Sequence, residues 1–156
     1  MTKVFTAPSI EPEWNRARDL IMFLAGAIDM GAAVDWQAYV IEQLQGIDNL
    51  SILNPRREVF KPEMEAPQIK WELNALHRSD LIFLWLPKDA KAPISLLEFG
   101  LFVTGRKPHL LVGVEPGFYR EMNVRMTCDY MNTDCYSTLD GMIYEVQGRL
   151  GKLPIA

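Results

Sequence analysis

Leu81-Ile-Phe-Leu-Trp-Leu86 is an unbroken run of six apolar residues that ends at a proline. A short apolar run without polar alternation is typical of a strand buried on both faces, as the strands of parallel sheets are. Leu20-Ile-Met-Phe-Leu-Ala-Gly26 has the same character and ends in a glycine. These two segments predict the centre of a parallel sheet.

Further elements are predicted on both sides of these strands. Strands are predicted at Leu50–Asn54 and His109–Val114, and helices at 35–46 with Asp35 as cap, at 67–79, at 95–104 and from Leu139 to Leu150. Residues 115–127 lack a clear pattern and predict an irregular segment. Strand and helix alternate, which predicts an α/β fold. We expect a single Rossmann-like (flavodoxin-like) sandwich, with a mostly parallel sheet of about four to five strands and helices on both faces.

Composition predicts one folded domain. The chain has 156 residues, of which 49% are apolar and 23% charged. Residues 1–18 contain Pro8 and Pro12 and predict a loose N-terminal arm before a domain at 19–156. A net charge of -4 without a basic stripe argues against a nucleic-acid polymer as partner. No secretion signal or membrane-length apolar run is visible, so a cytoplasmic protein without membrane contact is expected.

Metal and cofactor motifs are not found in the sequence. Cys128 and Cys135 do not have a zinc-ligand spacing, and His77 and His109 are isolated. Neither common glycine-rich phosphate-binding motif occurs. We therefore expect free thiols, no metal and no cofactor.

Polar residues follow several predicted strands, and ligands of parallel α/β sheets bind at the carboxyl ends of strands. The residues predicted to bind substrate are Gly26, Asp29, Asp35, Asn54, Arg56, Asn123 and Arg125. Asp29 or Asp35 suits a sugar hydroxyl, although Asp35 equally suits a helix cap. Arginine suits a phosphate by bidentate bonding, although the adjacent pair Arg56 and Arg57 is as often part of a solvated loop.

Glu98 lies near the start of the helix that follows the clearest strand, in Pro93-Ile-Ser-Leu-Leu-Glu98. One interpretation is a capping box, in which Ser95 caps the helix and Glu98 reaches back to the Ser95 amide. The other is a catalytic nucleophile, because a helix N-terminus favours the ionised carboxylate that a nucleophile must be. Local sequence leaves both interpretations open.

Glu72 lies on the helix predicted at 67–79. One interpretation is a solvated surface glutamate. The other is a second carboxyl group that faces Glu98, because glycosidic bonds are commonly cleaved by two carboxyl groups, about 5 Å apart in retaining enzymes.

Residues 20–126 together resemble the nucleoside 2-deoxyribosyltransferase family and its nucleotide N-glycosidase relatives. The similarity is carried by Phe23-Leu-Ala-Gly-Ala-Ile-Asp29, Glu72-Leu-Asn-Ala-Leu-His-Arg-Ser-Asp80, Leu97-Glu-Phe-Gly-Leu101 and Met122-Asn-Val124. The resemblance implies that Glu98 attacks the anomeric carbon of deoxyribose and that Glu72 helps to protonate the departing base. It also implies a homo-oligomer in which Asn123 completes the site of a neighbouring subunit.

The chain departs from the family pattern at three positions. The family usually has aspartate where Glu72 stands, and its further acidic residue falls on Ala92 here. Its first-strand tyrosine falls near Met22 or Phe23. These departures indicate a divergent branch of the superfamily.

The resemblance implies cleavage of N-glycosidic bonds and transfer of 2-deoxyribose between nucleobases by a retaining double displacement. A deoxynucleoside or deoxynucleotide and a free nucleobase would be the partners. One alternative is a hydrolase of deoxynucleoside 5′-monophosphates, with Arg56, Arg57 and Arg125 as phosphate ligands. A second alternative is a non-catalytic nucleotide-binding or sensing module, which the departures at Ala92 and Glu72 motivate.

Overall fold

A computed structural model describes residues 1–8 and 19–152, apart from the side chains of Met30, Gly151 and Lys152. The strands are β1 Lys3–Thr6, β2 Leu20–Gly26, β3 Leu50–Asn54, β4 Leu81–Leu86, β5 His109–Val114 and β6 Cys135–Tyr136. The helices are α1 Trp36–Gln43, α2 Glu65–Arg78, α3 Pro93–Phe102, α4 Glu121–Tyr130 and α5 Leu139–Lys152, with short 3-10 helices at Asp29–Gly31 and Pro62–Met64. All strand pairs are parallel, in the order β1-β3-β2-β4-β5-β6. The predicted α/β fold is confirmed.

Helices cover both faces of the sheet, which is why β2 and β4 are apolar at every position. On β4, Ile82, Leu84 and Leu86 pack in the same core cluster as residues of α2, α3 and α4. The alternate residues, Leu81, Phe83 and Trp85, pack with α1 and α5. Successive side chains of a strand point to opposite faces, so a strand between two helix layers needs an apolar residue at every position.

The sheet has six strands, where the sequence predicts about four to five. One additional edge strand is β1, which lies in the predicted N-terminal arm and pairs with β3 from Lys3↔Ser51 to Thr6↔Asn54. Residues 9–18 of that arm lie outside the described residues, and the domain boundary at 18/19 stays a prediction. The other edge strand, β6, has two residues, too few for a periodic pattern.

The irregular segment predicted at 115–127 is wrong, because α4 occupies Glu121–Tyr130. Only Val124 and Cys128 of this helix are buried, one turn apart. The apolar residues of α4 alternate with polar ones along the sequence, which is not the period of an amphipathic helix, so the helical signal is weak. Cys128 is buried and Cys135 is half-buried, and both are free thiols, as expected.

No helix within the described ranges is long and apolar enough to cross a membrane.

Candidate active site

A cavity of about 700 Å³ opens at the carboxyl ends of β2 and β3, between α2 and α3. Its walls come from the end of β2, the loops after β2 and β3, one face of α2 and the start of α3. Most of the lining is apolar, and the volume falls within the range that small-molecule ligands occupy. A smaller cavity of about 330 Å³, lined by Asp80 and His109, lies at the other ends of the strands.

Glu98 lies on the α3 wall of the large cavity and is only 7% exposed. The helix begins at Pro93 rather than at Ser95, and Ala92 precedes it with a left-handed backbone and no side-chain cap. Proline suits the first helical position because its fixed φ matches the helix and it has no N–H to leave unpaired. Glu98 is therefore in the second turn, beyond reach of a capping interaction. The capping-box interpretation is wrong.

Burial, and to a lesser extent the neighbouring charge of Glu72, together raise the pKa of Glu98 to about 8. We expected the helix N-terminus to favour the ionised carboxylate, but that effect falls off within the first turn. Desolvation of the charged form dominates at this depth. A pKa of about 8 favours the protonated form of Glu98 at neutral pH.

Glu72 lies on α2 and lines the same cavity. It is half-buried, and burial raises its pKa, while a hydrogen bond from Gln68 and the charge of Arg57 oppose that shift. The Gln68 Nε2 donates to Glu72 Oε1 at 2.5 Å. The fold therefore brings Glu72 and Glu98 together, and burial raises the pKa of both carboxyl groups.

Gly26 and Asp29 also line the cavity. Gly26 has φ +149°, and a Cβ there would overlap the Trp85 carbonyl and the Trp36 ring. Asp29 Oδ1 accepts a hydrogen bond of 3.4 Å from the Ala92 N–H. This hydrogen bond joins the loop after β2 to the start of α3.

Asp35, Asn54 and Arg56 do not line this cavity within the described residues. Asp35 caps α1 by accepting from the Ala38 N–H at 3.0 Å, which confirms the predicted cap. Asn54 Oδ1 accepts from the Arg56 N–H.

The Arg56 guanidinium is used within the protein. It donates to backbone carbonyls of Gly31, Ala33 and Val34 and to the side chain of Gln37. These bonds hold the loop after β2 in place, and that loop forms one wall of the cavity. Roles of Asp35, Asn54 and Arg56 in substrate binding stay predictions.

Asn123 and Arg125 lie on α4, where the sequence predicted a loop. Neither lines the cavity of its own chain in the described structure. Arg125 pairs with Glu121 at 2.8 Å and donates to the Val114 carbonyl and the Ser137 hydroxyl. Asn123 is exposed, and its contribution to a neighbouring subunit's site stays a prediction.

Gln68 lines the cavity although it was not considered from sequence, and Arg57, considered there only as a phosphate ligand of the alternative function, lines it too. Gln68 stands four residues before Glu72, so the two side chains share one face of α2. That spacing could have identified Gln68. No sequence spacing relates Arg57 to Glu72, because the path of the loop after β3 determines the direction of the Arg57 side chain.

The parallel sheet is flavodoxin-like, and its cavity at the carboxyl ends of the strands contains the carboxyl groups of Glu72 and Glu98. These features place the chain among the α/β proteins that bind small molecules at an acidic strand-end site. The family described as nucleoside 2-deoxyribosyltransferase like matches residues 19–118. The chain belongs to this family, whose members are typically enzymes of glycosyl transfer. No curated protein matches the chain.

Proposed function

We propose that this protein is a cytoplasmic enzyme that cleaves the N-glycosidic bond of deoxynucleosides and transfers the 2-deoxyribosyl group to a second nucleobase. The observation that carries the proposal is the carboxyl group of Glu98, buried on the wall of the large cavity beside Glu72. Membership of the nucleoside 2-deoxyribosyltransferase-like family supports the class of reaction.

In the first step, a carboxylate oxygen of Glu98 bonds to the anomeric carbon as the bond from that carbon to the base nitrogen breaks. The electron pair of the broken bond stays on the base, which takes a proton from Glu72. In the second step, a nitrogen of the incoming base, or water, attacks the anomeric carbon and displaces Glu98. Its proton passes to Glu72, which returns both carboxyl groups to their starting state.

The two carboxyl groups hold one proton in the reactive state. Glu98 must be ionised to attack, and Glu72 must be protonated to release the base. Because the charge of Glu72 acts on Glu98, the pair loses its protons in two coupled steps, the last near the raised pKa of Glu98, about 8. The reactive state is the singly protonated pair with the proton on Glu72.

Trapping of the covalent ester tests this proposal. A 2′-fluoro-substituted deoxynucleoside slows the breakdown of the ester, because fluorine destabilises the oxocarbenium-like transition state. We expect a glycosyl adduct on the peptide that contains Glu98, detected by mass spectrometry, and none on the Glu98→Ala variant. Base release by Glu98→Ala at the wild-type rate would refute the assignment.

A homo-oligomer is part of the proposal. Ile94, Leu97 and Leu101 line the cavity mouth and are 53–59% exposed, and Ile69 and Leu73 on α2 continue this apolar rim. Exposed apolar patches of this kind commonly mark protein contacts. A second copy of the chain over the rim would exclude water from the glycosyl ester and favour transfer to a base over hydrolysis.

A second candidate function is hydrolysis of deoxynucleoside 5′-monophosphates. Of the three arginines considered as phosphate ligands, only Arg57 lines the cavity, and Lys61 adds a second cation there. Turnover of a nucleoside and of its 5′-monophosphate would be compared directly. A strict requirement for the phosphate would favour the hydrolase.

A further inference from the structure

Cys128 and Cys135, the two cysteines of the chain, lie close together where α4 packs on the edge of the sheet. Cys128 is in the last turn of α4 and is fully buried, whereas Cys135 is half-buried on the edge strand β6, where it pairs with Val112 of β5. A tight turn joins them, because the Thr133 N–H donates to the Cys128 carbonyl at 2.9 Å. The two thiols share a hydrogen bond. The fold therefore holds a thiol pair of which one member is accessible from solvent.

The guanidinium group of Arg125 lies against the sulfur of Cys135. Its Nη1 is 3.9 Å from Cys135 Sγ. Other hydrogen bonds hold the guanidinium in this position. The Nε donates to Glu121 at 2.8 Å, and Nη2 donates to the Val114 carbonyl and to the Ser137 hydroxyl at 3.0 Å each. A cation that is fixed beside a sulfur atom favours the thiolate over the neutral thiol.

The surroundings of the pair make Cys135 the thiol that ionises first. The hydrogen bond from Cys128 lowers the pKa of the Cys135 thiol, burial opposes this shift, and the charge of Arg125 reinforces it. The charges of Asp129 and Glu121 act in the opposite direction to that of Arg125. The same hydrogen bond, together with burial, raises the pKa of the Cys128 thiol. Cys135 therefore supplies a thiolate, and Cys128 remains a protonated thiol beside it.

This arrangement suits oxidation better than metal binding. No group of three or more potential metal ligands occurs among the described residues, so the pair lacks the further ligands that a zinc site needs. A stabilised thiolate that solvent can reach is the kind of cysteine that peroxides oxidise, and a neighbouring thiol converts the product to a disulfide. Neither cysteine lines the large cavity of the described structure, so this chemistry is separate from the proposed function.

We propose that Cys128 and Cys135 form a peroxide-sensitive modification site, in which Cys135 is oxidised first and Cys128 then closes a disulfide. The Cys135 thiolate attacks one oxygen of hydrogen peroxide, the O–O bond breaks, and the departing hydroxide takes up a proton to become water. The Cys128 sulfur then attacks the sulfenic acid on Cys135 and gives up its proton as the S–O bond breaks and a second water leaves. Two thiols are thereby oxidised to one disulfide, and one peroxide is reduced to two waters.

Counting free thiols in the full-length protein tests the site. The reduced protein would be treated with hydrogen peroxide, denatured and alkylated with iodoacetamide, and the alkyl groups counted by mass spectrometry, which separates thiol loss from oxidation of methionine. We expect the count to fall from two to none, with a disulfide within one chain that dithiothreitol reverses. Cys128→Ala should instead give a sulfenic acid on Cys135 that dimedone traps. Cys135→Ala should lose its remaining, buried thiol at least about 10-fold more slowly than the wild type.

Arg125→Met tests the electrostatic part of the inference. Without the cation, oxidation of Cys135 should slow by about 10-fold, because a smaller fraction of the thiol is ionised. Arg106→Met, at an exposed arginine, is the matched control and should react at the wild-type rate. If Arg125→Met does not fold, the pH dependence of Cys135 alkylation in the wild type replaces it, and its midpoint should lie below that of free cysteine.

Several results would overturn the inference. One is retention of both thiols under conditions that oxidise free glutathione in the same tube. Others are a disulfide between two chains instead of within one, oxidation of Arg125→Met at the wild-type rate, and an alkylation midpoint at or above that of free cysteine. None of these measurements uses turnover of a nucleoside, so such a result would leave the proposed function standing.

Discussion

The buried carboxyl group of Glu98 lies close enough to Glu72 for the charge of one to raise the pKa of the other. The two residues belong to α3 and α2, on opposite walls of one cavity. Because burial raises both pKa values, ionisation of this pair becomes sensitive to pH well above the usual range of glutamate. This coupling leads to the first two predictions below.

The pH profile of kcat/KM should be bell-shaped, with its falling limb near pH 8. Rising pH removes the last proton of the Glu72–Glu98 pair with a pKa of about 8, and the departing base then has no acid to protonate it. Initial rates of base release between about pH 5 and 10 would measure the profile. A rate that keeps rising through pH 9 would show that no carboxyl proton is required.

The Glu72→Gln variant should separate the roles of the two carboxyl groups. Only Glu98 of the pair then titrates, and without the charge of Glu72 its pKa should decrease. If Glu98 is the nucleophile, the residual activity must rise with pH through that lower pKa. Activity that falls with pH in this variant would instead make Glu98 the acid, against our assignment.

Glu98→Gln should inactivate the enzyme and stabilise the fold. The pKa of Glu98 is about 4.5 in the unfolded chain and about 8 in the folded protein. Below pH 4.5 the residue is neutral in both states, so its ionisation does not lower the free energy of unfolding. Between pH 4.5 and pH 8, Glu98 loses its proton in the unfolded chain but keeps it in the folded protein. The free energy of unfolding of the wild type therefore decreases as the pH rises through this range. The stability gap between the variant and the wild type should therefore grow by about 3 kcal/mol between pH 5 and pH 8.

Urea denaturation at the two pH values would measure this gap. Glu63→Gln, at an exposed glutamate, is the matched control and should show no comparable change. A gap that does not depend on pH would mean that the carboxyl group of Glu98 is not buried in its neutral form.

Gly26→Ala should destabilise the protein by about 3 kcal/mol, because the new Cβ would overlap the Trp85 carbonyl and the Trp36 ring at a positive φ. Gly148→Ala on α5 is the opposite control, since nothing lies within 4 Å of its added Cβ. Alanine is the better helix former, so this variant should be more stable by up to about 1 kcal/mol. Thermal unfolding would compare them, and equal melting temperatures would contradict the packing at the end of β2.

Leu97→Glu should dissociate the proposed oligomer. A charge in the centre of the apolar rim would be buried without a partner if a second copy covers it. Sedimentation velocity should then show a monomer, whereas Tyr144→Glu on α5, in the opposite helix layer, should keep the wild-type state. A wild-type protein that is monomeric and fully active would contradict the oligomer.

The four central strands could be predicted from sequence alone, because β2 and β4 are continuous apolar runs, which only burial between two helix layers accommodates, and β3 and β5 are short and mostly apolar. The Asp35 cap could be predicted for a similar reason, since its hydrogen bond closes within three residues. The family pattern around Glu98 was also visible in the sequence, and the family match supports it. The short edge strands were missed because they have too few residues to form a pattern, and α4 because its apolar residues alternate with polar ones instead of following a helical period.

The environment of the candidate site was decided by tertiary structure. Local sequence allowed Glu98 to be a capping residue, but the start of α3 at Pro93 moved it into the second turn. Its raised pKa depends first on burial and then on the charge of Glu72, which lies 26 positions earlier in the chain. Arg56 and Arg57 are neighbours in sequence, yet Arg56 binds loop carbonyls and Arg57 lines the cavity. Secondary structure follows from short-range pattern, whereas desolvation and charge coupling depend on distances between segments that only the folded chain sets.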